Sequence, residues 1–83
     1  MDIKEMKKDL LEYDLYHVVD GVLYGDYQLS ILNEGDQIII AVYDEWGSAA
    51  HAMDKEEFLN IATNEELERH INSIIYYNYI EGE

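Results

Sequence analysis

The spacing of apolar residues along this chain changes twice, and each change marks a change of element. Ile3, Met6 and Leu10 recur at i, i+3 and i+7, one stripe of a helix. Asp2 with Glu5 has the spacing of a capping box, so a helix is predicted from Asp2 to about Glu12, closing at Tyr13-Asp14. The period then drops to two. Leu15 to Val19 reads as a strand and Asp20-Gly21 as a turn; Val22-Leu23-Tyr24 and the breaker pair Gly25-Asp26 follow. The next hairpin is the clearest. Tyr27, Leu29 and Ile31 alternate with Gln28 and Ser30, and Ile38, Ile40 and Val42 alternate with Gln37, Ile39 and Ala41. Folding about Glu34-Gly35 within Asn33–Asp36 pairs Ile31 with Ile38, Leu29 with Ile40 and Tyr27 with Val42, all on one face.

Asp44 to Ser48 reads as a loop and Ala49 to Met53 as a short edge strand. After that the helical period returns. Asp54 with Glu57 opens a helix over Lys55 to Ala62, with Phe58, Leu59 and Ala62 inward. Thr63 with Glu66 opens another to about Tyr79, whose inward stripe is Leu67, Ile71, Ile74 and Asn78, widened by Ile75. The expected fold class is α+β: a three- or four-stranded antiparallel sheet with an N-terminal helix and two C-terminal helices packed on one face. Residues 1–83 are expected to form a single domain.

Charge changes the picture more than composition does. Nineteen acids stand against five Lys and Arg, a net −14, and residues 9–54 hold ten acids with no Lys or Arg at all. Self-repulsion on that scale costs a small domain stability. A nucleic-acid binder must neutralise phosphates with Lys or Arg, so nucleic acid and anionic membranes are excluded as expected partners, and a cationic protein is favoured. The chain has no cysteine, which fits a reducing cytoplasm. Its first residues carry no apolar signal core, and its longest apolar run, Ile38 to Tyr43, is strand-sized.

Candidate chemistry is sparse. His17, His51 and His70 share no ligand spacing, and Ser30, Ser48 and Ser73 sit in no nucleophile motif. The glycines form no phosphate loop, and Asp44-Glu45-Trp46-Gly47 lacks the alternating ligands of a calcium loop. The expectation is a non-enzyme with no cofactor and no metal. Asp14, Asp20, Asp26, Glu34, Asp36, Asp44 and Glu45 fall at strand ends and turns, where side chains protrude. Glu65, Glu66 and Glu68 add a group near the start of the last helix. Alternate strand residues lie about 6.5–7 Å apart and helix neighbours at i+3 or i+4 about 5–6 Å, spacings comparable to those of successive phosphates. A face of such carboxylates can therefore occupy an Arg/Lys groove. The strand-end and turn acids, with Trp46 set in a loop among them as an aromatic anchor, are the candidate partner-binding residues. Asp2, Asp54 and Thr63 are assigned to helix capping.

So short and acidic a chain, running helix, three strands, helix, helix from Ile3 to Ile80, resembles small phage-encoded anti-CRISPR proteins. The resemblance is one of element order and charge, so no family binding residue is carried over. It implies a DNA mimic that fills the DNA-reading cleft of a CRISPR effector nuclease in the cytoplasm of a bacterial host, blocking target docking. Two other readings stay open: an immunity protein or antitoxin that neutralises a nuclease toxin, and a structural or adaptor domain whose acidity only aids solubility. The oligomeric state is left open.

Overall fold

Ile3 cannot find an acceptor for its N–H inside its own helix, and the chain supplies one from the far end of the sequence. In the computed structural model, which describes residues 2–77, that N–H donates to the Asn64 side-chain carbonyl at 2.8 Å. The Asp2 carboxylate takes the Lys4 N–H. Two orphan donors of the first turn are thereby satisfied, and helix α1 runs Ile3–Lys8. It opens into a wider π-helical turn, Asp9–Tyr13, which closes at Asp14 in the left-handed region (φ 48°). Aspartate tolerates that conformation better than most residues.

Four strands follow: β1 His17–Tyr24, β2 Tyr27–Glu34, β3 Gln37–Tyr43 and β4 Ser48–Asp54. They form one antiparallel meander in the order β1-β2-β3-β4. The expected edge strand near Ala49 is therefore real, one residue longer at each end. Two expectations about the sheet are corrected. The β2–β3 register is Asn33↔Ile38, Ile31↔Ile40 and Leu29↔Val42, offset by two residues from the pairing about Glu34-Gly35. The turn residues are Gly35 and Asp36, with Gly35 at φ +67°. A turn on Glu34-Gly35 would put a non-glycine residue at that left-handed position, at about 1–2 kcal/mol. Because the slip is even, no side chain changes face, and Leu29, Ile31, Ile38, Ile40 and Val42 are all fully buried.

The second correction concerns Asp20-Gly21. No turn forms there; β1 continues through it to Tyr24. Register shifts between His17 and Val19, and between Val19 and Val22, each add one residue to β1, and such bulges bend an edge strand. Gly21, at φ +62°, lies in the second bulge, and its N–H donates to Ser30 Oγ at 3.0 Å. The hairpin turn is the following pair, Gly25-Asp26, closed by Tyr24↔Tyr27.

Helix α2 spans Lys55–Leu59, and α3 spans Asn64–Ile75. The former is shorter than expected, and Ile61 rather than Ala62 enters the core. The Asp54 side chain makes no capping hydrogen bond. As the last residue of β4, opposite Gln37, it alternates with Met53 onto the sheet's outer side. The neighbouring Lys55 N–H is met instead by the Asp36 carbonyl. At α3, Thr63 Oγ1 caps the Glu66 N–H as the spacing implied, while the Glu66 carboxylate takes the Ala62 N–H. Leu67, Ile71 and Ile74 face inward. Asn78, Tyr79 and the proposed end of this helix lie outside the described residues. One hydrophobic cluster joins the inner face of the sheet to α1, the π turn, α2 and α3. Among the described residues, no helix is long and apolar enough to cross a membrane.

Candidate partner-binding surface

Carboxylates dominate the surface. Of the seventeen Asp and Glu described, fourteen are exposed, and Asp9, Asp44 and Glu66 are half-buried. Internal cations barely touch them. Lys55 Nζ lies 3.9 Å from Asp14, and His17 Nδ1 lies 3.7 Å from Asp20. Exposed pairs of that length neutralise little.

The eight candidate residues do not form one patch. Asp14, Glu34 and Asp36 gather at the sheet end where β2 turns into β3, while Asp26, Asp44, Glu45 and Trp46 sit at the opposite end. Between them lies the length of β3, seven residues, or about 23 Å at 3.3 Å each. Asp20 occupies the β1 bulge at the edge between.

Three of the eight are also committed to the fold. Asp14 accepts a 2.7 Å hydrogen bond from the buried Asn33 Nδ2, which ties the end of the π turn to the end of β2. Asn33 Oδ1, on the same buried side chain, has no partner. Asp44 accepts from the Trp46 and Gly47 N–H groups at 2.8 and 3.0 Å, holding its own loop closed. Glu34 accepts from the Tyr16 hydroxyl at 2.9 Å. That hydrogen bond, with the glutamate's charge, raises the Tyr16 pKa. Asp26, Asp36 and Glu45 are exposed carboxylates. Trp46 is 89% exposed, and its ring is available to a partner.

Sequence reasoning missed two features. The outer sheet face is almost free of charge: Ser30, Leu32, Ile39 and Ala41 are half-buried across its centre, with Ala50 and Ala52 exposed on β4. The alternation of Ser30 and Leu32 with Leu29 and Ile31, and of Ile39 and Ala41 with Ile38 and Ile40, is the signal for it in the sequence. The other is a groove between α1 and the edge strand β1, about 270 Å³, lined on one side by Asp2, Glu5 and Asp9. Asp2 caps α1 as its position implied, through the Lys4 N–H, while Glu5, its expected box partner, is exposed beside the groove. Tyr24, at the end of this groove, donates its hydroxyl to Asn72 Oδ1 at 3.1 Å. Burial, then the nearby Glu68 charge, raises its pKa, against a smaller lowering by Asn72.

His51 and His70, distant in sequence, line one shallow cavity of about 180 Å³ between β4 and α3 with Ser73, Ile74 and Tyr77. Among the described residues, no three His, Asp or Glu side chains are grouped to hold a metal ion. No protein-family model matches the chain, and no curated protein or solved structure matches it.

Proposed function

We propose that this chain is a non-catalytic, acidic binding protein that occupies the cationic nucleic-acid cleft of another protein, in the manner of an anti-CRISPR DNA mimic. The observation that carries this reading is the outward, scarcely neutralised set of carboxylates: fourteen exposed acids among the described residues, with Lys55–Asp14 the one Lys–carboxylate contact of that region. Pairing them with arginine forks offsets the self-repulsion that the free chain carries. Competition with nucleic acid follows because both ligands need the same cations.

The test is capture of a partner from bacterial lysate on the immobilised chain, with and without added duplex DNA or RNA. A basic nucleic-acid enzyme should be retained, released by nucleic acid, and held about tenfold more weakly at high salt than at low salt. Reversal of Asp20, Asp26, Asp36 and Glu45 to Lys should abolish capture without unfolding the chain; Asp14 and Asp44 are left intact because the fold uses them. An uncharged or acidic partner, or full retention by the quadruple variant, would sink the proposal. A nuclease toxin as the captured protein would redirect it to the immunity reading.

A further inference from the structure

We propose that the groove between α1 and β1 is an arginine receptor: it takes one arginine side chain of an extended partner segment, the apolar stem lying on β1 and the guanidinium on α1. This rests on the cationic-partner reading above and gives it a location that the turn carboxylates do not.

The groove is two-sided. Asp2, the N-cap of α1, Glu5 within it and Asp9 at the start of the π turn all line the helical side of the groove, and Asp2 also accepts the Lys4 N–H. Lys4 and Lys7 fall away from this side of the helix, while Lys8, three residues after Glu5, is its neighbour along the helix. No Lys or Arg lines the cavity. The facing wall is apolar. Met6 and Val18 are buried at its base, Val19 is half-buried, and Val22, on the same face as its buried partner Leu29, remains 44% exposed along its lip. Leu23, opposite Gln28, borders the groove while its side chain alternates to the other face of the sheet.

The β1 bulges help to make this wall. The register shift between His17 and Val19 leaves Val18 as the extra residue, and its side chain is buried in the core cluster. β1 is also an edge strand, with no neighbour on its outer side in the sheet. An extended segment of a partner can lie alongside its regular end, Val22 to Tyr24, beyond the two bulges.

Charge and shape select the occupant. A purely apolar side chain would leave the Glu5 and Asp9 carboxylates, beside the capping Asp2, to be desolvated without a counter-ion, which is costly. A bare cation would leave the apolar wall of Val19 and the exposed Val22 uncovered. Arginine has both parts, an apolar stem and a planar cationic head that can bind carboxylates through two donors. At about 270 Å³ the cavity is smaller than the roughly 300–1,000 Å³ of small-molecule pockets, which suits one long side chain better than a cofactor.

The direct test is an NMR titration of the labelled chain with N-acetyl-arginine methylamide. Guanidinium chloride serves as the head alone, and N-acetyl-norleucine methylamide as the stem alone. Saturable shifts on the amides of Glu5 to Asp9 and Val18 to Leu23 are expected with the arginine probe only. Glu5→Gln with Asp9→Asn, both isosteric, should weaken it about tenfold, as loss of charge-assisted hydrogen bonds does. Shifts spread in proportion over Asp26, Asp36 and Glu65, or an unaffected double variant, overturn the groove.

Partner capture separates the two readings. Glu5→Lys with Asp9→Lys should reduce capture about tenfold more than Asp26→Lys with Asp36→Lys, an equal change of charge. Equal losses overturn the groove and leave the acidic-binder reading standing. A probe that fills the groove while no cationic partner is captured sinks that reading instead.

Discussion

Two hairpins share strand β2, and they are closed by the same chemistry. Gly25-Asp26 and Gly35-Asp36 each place glycine at the first central position with φ near +60° (+61° and +67°), the geometry that matches strand twist in two-residue turns. Beyond the turns they diverge. The β2–β3 ladder runs without interruption from Glu34↔Gln37 to Gln28↔Tyr43, and its inner residues are fully buried. The β1–β2 ladder is broken twice by extra residues on β1, and Val22 and Leu23 stay exposed. Turn chemistry therefore closes a hairpin but does not regulate its ladder. Edge position alone does not loosen a ladder either: β4, the other edge strand, pairs with β3 without a shift from Gln37↔Asp54 to Tyr43↔Ser48. The irregular strand is the one that borders the α1 groove.

The largest expected contrast between the hairpins lies in their side chains. Ile40→Ala, at the centre of the regular ladder, should cost about 2–5 kcal/mol, while Leu23→Ala in the bulged strand should stay within about 0.5 kcal/mol. Urea denaturation of both variants reads the difference directly. Similar losses would mean that β1 contributes to the core as β3 does.

A smaller effect concerns how the shared strand is pinned at the end away from Gly25-Asp26. Asp14→Ala strips the buried Asn33 amide of its acceptor, which should cost about 1–3 kcal/mol. Asp14→Asn keeps an oxygen in place and should recover most of that loss. If thermal melting shows Asp14→Asn to be as unstable as Asp14→Ala, the charge facing Lys55 matters more than the hydrogen bond.

The finest contrast is between glycines. Ala at Gly25 meets nothing within 4 Å, so only the left-handed backbone penalty of about 1–2 kcal/mol applies. At Gly21 an added Cβ would also stand 3.1 Å from the Tyr43 hydroxyl. Gly21→Ala should therefore be the more destabilising of the two, and adding Tyr43→Phe, which removes that hydroxyl, should bring them level. Equal melting temperatures for the two single variants would show that the hydroxyl moves aside freely.

Much of this architecture was legible from the chain alone. The helical stripe Ile3, Met6, Leu10, the alternation through Leu29, Ile31, Ile38, Ile40 and Val42, and the stripe Leu67, Ile71, Ile74 each name an element and its buried face. They do so because periodicity and turn preference are local properties of a few neighbouring residues. The exact turn at Gly35-Asp36 and the bulge at Gly21 were not legible, since a glycine next to an aspartate suits either a turn or a bulge. Which one forms depends on the strand opposite. The same holds for the candidate site. Whether a carboxylate is free or committed is decided by donors far away in sequence: Asn33 reaches Asp14 across 19 residues, and Tyr16 reaches Glu34 across 18. Charge and fold class were determined by the sequence itself; which acids are left without an internal donor was decided only when the sheet brought those donors home.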